Sequence, residues 1–350
     1  MNARDKCYYC PKEQAMLFRK RLKVFVAQMG PLDRPQVENT VGLAQLVQNA
    51  FDIDFLRERI DLPPDQYVFP NGAYDLDGAV RDIVQPKGLP TPLILITSLP
   101  FGDREKSTDP NGLYFSEEYP GSISLISTYL WTSLQPEAGL QRYILMMLSA
   151  DILSRLTELR CHTETAGCMF DYCGRAEDAL RVFEGTGLCR ACDQSLMKQL
   201  RSGVADIFQI AAAMRIFDRA KGIRRCFLAM PFSAAFQKVH ETVARCVADA
   251  GWMVVRADEI ARPRHLTDAI FQAILTSDLV IADISGNNPN VFYELGFAHA
   301  AGCDIVMLCQ KAPAKRLPFD VSHERTLFYA PTDAGIAKLG EALGKLAAQA

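Results

Sequence analysis

The 350-residue chain has no apolar run near the roughly 18 residues that a membrane-crossing helix needs. Its longest candidates, 91–101 and 203–217, are broken by proline or by charges. A basic excess is also missing: 38 Lys and Arg against 41 Asp and Glu give a net charge of −3, which argues against general nucleic-acid binding. The opening residues, MNARDKCYYC, lack the apolar core of an export signal, so the expectation is a cytoplasmic chain with no membrane association. No tandem repeat or low-complexity tract is visible. What remains is ordinary: 49% hydrophobic and 23% charged residues exclude wholesale disorder and fibrous architectures. The length exceeds a comfortable single core and fits two domains.

Eleven cysteines in a chain without an export signal do not read as a disulfide framework. Cys226, Cys246, Cys303 and Cys309 sit singly in apolar stretches and read as small core residues. The others cluster. Cys168, Cys173, Cys189 and Cys192 give C-x4-C-x15-C-x2-C, two thiolate pairs around a short excursion, which is the signature of a tetrahedral structural zinc. Cys161 and His162 lie close enough to compete for the fourth position. Cys7 and Cys10 form an orphan knuckle that would need two further ligands, for which Cys161 or His162 are candidates. The basic run 18–23 reads as a solvated helix face.

A helical pattern runs from Ser195 to Lys221 and ends at Gly222. The division is placed within 205–222, giving domains 1–210 and 211–350. After it, strand and helix patterns alternate. Strands are expected at Cys226–Met230, Trp252–Arg256, Leu279–Asp283, Asp304–Cys309 and Thr326–Tyr329. Helices are expected at Ala235–Ala250, Thr267–Thr276, Pro289–Ala301 and Ala334–Ala348. Continuous apolar strands between helices predict a parallel sheet covered on both faces. The fold class is therefore α/β, a flavodoxin-like doubly wound domain preceded by an α+β domain stapled by zinc. Ligands of such sheets bind beyond the carboxyl ends of the strands.

The residues at those ends are Met230, Pro231 and Phe232 after the first strand, Asp258 after the second, and the loop from Asp283 through Asn287 after the third. Asn288 is a good N-cap and Pro289 a good first helical residue. Asn290 and Glu294 then stand four apart on one helix face. Taken singly, each has a bland reading as cap, solvated residue or turn former. Together, a carboxylate near a helix start with Asp283 close by suits attack on an anomeric carbon or the holding of a ribose. Glu294, Asp283 and Asp268 are the candidate catalytic residues. Met230, Pro231, Phe232, Asp258, Asn287 and Asn290 are the candidate substrate-binding residues.

The motifs FLAMPF (227–232), RADEI (256–260), SDLVIADISGNNPNVFYELGFAHA (277–300) and PFD (318–320) resemble the nucleoside 2-deoxyribosyltransferase-like superfamily, which neighbours the TIR domains. The resemblance implies that Glu294 is the nucleophile of N-glycosidic cleavage through a ribosyl-enzyme ester, and that Asp268 matches an acidic helper preceding the third strand. The loop SGNNPNV departs from the acidic loop of the transferases proper, which argues against simple base exchange. Nicotinamide leaves NAD as a neutral base and needs no acid, whereas a purine or pyrimidine leaves better when protonated and would need an acid such as Asp283 or Asp258. One strong glutamate fits NAD slightly better.

The segments ITSLPF (96–101), SISLISTYLW (122–131), LQRYILMMLSADIL (140–153) and HTETAGCMFDYC (162–173) resemble the archaemetzincin-type metallopeptidases. That resemblance implies a Cys-bound structural zinc. It does not extend to activity, because His162 is the sole histidine before residue 240 and HExxH cannot be built. A catalytically empty half joined to a nucleotide-cleaving half suggests sensing, regulation or oligomerisation, with a homo-oligomer or a regulatory protein as partner. Similar bacterial fusions suggest an anti-phage effector. The expected function is a regulated glycohydrolase acting on NAD or a nucleotide; the competing readings are a nucleoside 2-deoxyribosyltransferase and a nucleotide-sensing module without catalysis.

Overall fold

The computed structural model describes residues 21–349 apart from 49, 64–65, 70–71, 101, 103–115, 120, 130, 132–138, 164–166, 174–175, 186, 258–265, 312–316, 319–320 and 322–324. The described chain forms two compact units, which part between Gly222 and Ile223.

The first unit carries a five-stranded sheet in the order β2-β1-β3-β5-β4, from β1 (Leu22–Met29), β2 (Phe51–Ile60), β3 (Leu93–Thr97), β4 (Ser116–Tyr119) and β5 (Ile123–Ser127). Four strands run parallel, and β4 lies antiparallel on β5 at the edge. The sequences explain the burial. LILIT and ISLIS are buried at every position, as central parallel strands with both faces covered must be. Helix α1 (Arg34–Leu46) links β1 to β2; α2 (Leu140–Leu156), α3 (Ala176–Glu184), α4 (Arg190–Arg201) and α5 (Ile207–Ala220) follow the sheet. Burial nearly all round α2 places it in the core, where the Ser149 hydroxyl donates to the Ala213 carbonyl of α5 at 2.7 Å.

Two sequence expectations change here. The single helix predicted over Ser195–Lys221 is two helices. Gly203 takes a left-handed φ of 73°, and the Asp206 carboxylate then caps α5 by accepting the amides of Phe208 and Gln209, so the chain turns rather than continues. The basic run 18–23 is not a helix face where it is described. Leu22 and Lys23 open β1, whose LKVFVAQM pattern buries a strand, and Arg21 pairs with Asp52 at 3.1 Å. Residues 18–20 lie outside the described residues.

The second unit carries β6 (Arg225–Ala229), β7 (Met253–Arg256), β8 (Leu279–Asp283), β9 (Asp304–Gln310) and β10 (Thr326–Tyr329) in the order β10-β9-β8-β6-β7, all parallel. Counted from β6, this is the flavodoxin order, so the expected doubly wound α/β fold is what the chain forms. Its helices are α6 (Gln237–Asp249), α7 (Leu266–Thr276), α8 (Pro289–Ala300) and α9 (Asp333–Gln349). Helices α6 and α9 approach closely at Gly340, where an added Cβ would stand 2.8 Å from the Cys246 sulfur. Cys226, Cys303 and Cys309 are buried and Cys246 half-buried. Among the described residues, no helix is long and apolar enough to cross a membrane.

Candidate functional site

Two groups of side chains stand out, one in each unit. In the first, His162, Cys168, Cys189 and Cys192 bring one ligand atom each to within 4.8 Å of one another. Local backbone geometry makes this meeting. His162 and Asp171 form a parallel β-bridge, as do Cys168 and Gly187, with the Met169 amide donating to the Gly187 carbonyl at 2.7 Å. The turn from Gly167 packs tightly on Gly185, where an added Cβ would collide with the Gly167 carbonyl. Cys189 is the N-cap of α4, its sulfur accepting the Cys192 amide at 3.5 Å. A thiolate suits that position because the helix start concentrates positive potential. Although burial opposes ionisation, that amide and the neighbouring thiols hold Cys189 below the ordinary thiol range.

Three sulfurs and one imidazole are a donor set for tetrahedral zinc. The next layer of groups fits too. His162 Nε2 lies 3.6 Å from the Cys189 sulfur, while its Nδ1 stands 3.4 Å from Asp171 Oδ1. Asp171 Oδ2 accepts the amides of Gly167 and Cys168 at 2.8 and 3.0 Å. A carboxylate behind the imidazole orients Nε2 toward a metal and favours that tautomer. Cys173, predicted as the fourth thiolate, is not in the group; His162 takes its place. The Tyr172 amide donates to the His162 carbonyl at 2.8 Å, and Cys173 Sγ rests 3.6 Å from the Asp171 carbonyl. Burial, then Asp178, pushes its thiol up to about 12. Cys161 is exposed and also outside the group. Cys7 and Cys10 lie outside the described residues.

The second group stands at the carboxyl ends of the second sheet. Asn288 caps α8 by accepting the Asn290 amide at 2.9 Å, and Pro289 opens the helix. Asn287 takes a left-handed φ of 50° just before it. Val291, Leu295 and Ala298 bury the inner face of α8, and Glu294 is drawn in with them at 8% exposure. It has no hydrogen-bond or ion-pair partner among the described residues, and burial pushes its carboxyl up to about 7. Asp283, the last residue of β8, is fully buried. Its Oδ2 accepts the Tyr329 hydroxyl at 2.7 Å and its Oδ1 the Ser285 amide at 2.9 Å. The Ser285 hydroxyl accepts the Gln310 amide at 2.7 Å and stands 3.4 Å from the Tyr329 hydroxyl.

The remaining expected residues divide. Phe232 is 58% exposed at the sheet end, whereas Met230 is a core side chain packed among Val239, Val243 and Ile281, because the apolar run of β6 carries it inward. Pro231 is buried; Asn290 is exposed in the first turn of α8, one turn before the buried Glu294 on the same face. Asp258 lies outside the described residues; Asp268 lies on α7, with its side chain outside them. Sequence reasoning missed Tyr329 and Asp171. The signal for Asp171 was its place three residues after Cys168, within a ligand turn. Tyr329 offered only a hydroxyl at a strand end.

No family model matches the chain, and no curated protein matches it. Among solved structures it is similar to the CMP N-glycosidase BcmB of Clostridium botulinum, at 24% identity over 34% of this chain and 99% of that one, with a TM-score of 0.29. It is also similar to the archaemetzincins of Methanopyrus kandleri (15% identity, 52% of this chain and 96% of that one, TM-score 0.37) and Archaeoglobus fulgidus (16%, 50% and 99%, TM-score 0.38). At these TM-scores none of the likenesses assigns an activity to this chain.

Proposed function

We infer that the second unit hydrolyses an N-glycosidic bond of NAD or a related nucleotide, with Glu294 as nucleophile, and that the first unit, holding zinc through His162, Cys168, Cys189 and Cys192, controls it. One observation carries the reading: a glutamate at 8% exposure on the helix that starts from the strand ends, with no partner among the described residues. Holding a carboxyl group in a largely apolar setting raises its proton affinity, and such groups gather where chemistry needs them. With its carboxyl near neutrality, Glu294 is ionised in a large fraction of molecules at physiological pH. The carboxylate attacks the anomeric carbon, the C–N bond breaks, and the base departs with the electron pair. Water then hydrolyses the ester. Phe232 offers an exposed ring for a base to stack on, and Asp268 on α7 is the candidate helper. Zinc supplies folding free energy to the first unit and no step of the reaction. Control by the first unit fits an effector of bacterial conflict, since unregulated NAD cleavage is toxic.

The test is to incubate the full chain with NAD, nucleoside monophosphates and deoxynucleosides and to follow free base by chromatography. Base released by the wild type and lost in Glu294→Gln supports the reading. A wild type that binds nucleotide but releases no base makes the unit a sensor.

A further inference from the structure

Asp283, a candidate acid by its place at a strand end, is engaged in a chain of hydrogen bonds. It is fully buried, while Tyr329, the last residue of β10, is 2% exposed. Burial and the facing carboxylate raise the Tyr329 phenol above its ordinary value, so it stays a donor. The hydrogen bonds then run in series. The Tyr329 hydroxyl donates to Asp283 Oδ2, and Asp283 Oδ1 accepts the Ser285 amide. Ser285 is anchored to β9 through the Gln310 amide. The Ile284 amide donates to the Leu308 carbonyl at 3.0 Å, and the Asn287 amide returns to the Ile284 carbonyl at 3.2 Å. This closes the turn that delivers Asn288 to its capping position at the start of α8. Strands β8, β9 and β10 are thus tied at their carboxyl ends to the single turn that aims the helix bearing Glu294.

We propose that Tyr329 and Asp283 are positioning residues for Glu294: the Tyr329 hydroxyl fixes the Asp283 carboxylate, and that carboxylate fixes the 284–288 turn from which α8 starts. The proposal rests on Glu294 being the reacting group, but its structural half does not. In this role Asp283 acts through the turn and not on base or ribose. A misaimed nucleophile loses rate more than binding, because near-attack geometry is sensitive to displacements of the order of an ångström.

The experiment compares Tyr329→Phe with wild type, and uses Trp252→Phe as a control. Trp252 Nε1 donates to the Ala347 carbonyl at 3.0 Å, so its loss removes one buried hydrogen bond of the same unit away from this turn. Amide hydrogen exchange on the full chain is read at Ser285 and Asn287. Tyr329→Phe is expected to speed exchange there about tenfold or more, as loss of a hydrogen bond to a charged group should, while Trp252→Phe leaves it unchanged. On the best-cleaved probe of the substrate panel, Tyr329→Phe should lower kcat by about 10- to 100-fold with KM within about twofold; Trp252→Phe should keep both. Unchanged exchange at Ser285 and Asn287 in Tyr329→Phe overturns the proposal. So does a KM that rises in place of a falling kcat. If no probe releases base from wild type, the nucleophile reading fails, while the exchange measurement still decides whether the Tyr329–Asp283 pair holds the turn.

Discussion

Both units are built on buried parallel strands, yet the ends of the two sheets are furnished differently. In the first, the buried polar groups past the strand ends are neutral and occupied with backbone. Gln28 donates to the carbonyls of Gly30 and Leu32. Ser127 and Thr128 donate to the carbonyls of Leu99 and Thr97, and the Tyr143 hydroxyl donates to the Ser127 carbonyl. In the second, the corresponding end holds Asp283 and Glu294, both buried carboxyl groups. Paired neutral groups stabilise loops, whereas Glu294 has no hydrogen-bond or ion-pair partner among the described residues and its carboxyl is pushed up to about 7 by burial. Among the described residues, the two sheets thus differ in what stands at their carboxyl ends, and the first unit's group of His162, Cys168, Cys189 and Cys192 lies apart as a set that could hold a metal.

The largest effect that would break this contrast is on the first unit's metal. Purified chain should hold about one zinc, and Cys168→Ala or Cys192→Ala should abolish metal uptake and unfold the first unit, since closed sites contribute several kcal/mol or more to folding. Calorimetry should show its transition lost and that of the second unit kept; a metal-free chain with both transitions intact refutes the assignment. Next comes Glu294→Gln, which should lower base release by roughly four orders of magnitude with the far-ultraviolet spectrum unchanged.

Acidity sharpens the same comparison. The Glu294 carboxyl titrates near 7 in the folded chain and lower when unfolded, so the folded state holds a proton that the unfolded state has already released. Stability is therefore lost as pH rises from the unfolded value toward 7. Glu294→Gln should be about 3 kcal/mol more stable than wild type at pH 8 and equal to it at pH 4, by denaturant titration. Wild-type cleavage should climb as pH passes through about 7, because the nucleophile is the ionised form. A smaller effect belongs to Asp171→Asn, which should weaken zinc binding about tenfold in a chelator competition. Smallest of all, Cys173→Ala should leave zinc content unchanged, in contrast to His162→Ala.

How much of this was readable in advance follows from the range of the interactions. The strands of the second unit fall within a residue of their expected bounds, because continuous apolar runs closed by Gly and Pro are local signals. Cys189 and Cys192 were legible because a C-x2-C knuckle is set by its own turn. The fourth position was left open between Cys173 and its competitors Cys161 and His162. The spacing favoured Cys173, but the bridge between His162 and Asp171 brings the imidazole in, and such pairings are decided by folding rather than by spacing. Tyr329 was hidden for the same reason, since its bond to Asp283 spans 46 residues and depends on the order of three strands. The break at 202–206 was missed because strong helical periodicity on both sides masked the Gly203 turn.

Cys189 sits where two structures begin at once, a coordination shell and the helix Arg190–Arg201. Near the other end of that helix the Gln199 side chain accepts the Glu158 amide at 2.8 Å, just beyond the end of Leu140–Leu156. The helix thus joins the His162–Cys168–Cys189–Cys192 group at one end to the exit of a core helix at the other. With zinc held as proposed, its removal would be felt first at the start of this helix and then, some 15 Å of α-helix away, where Gln199 meets the chain leaving the core helix.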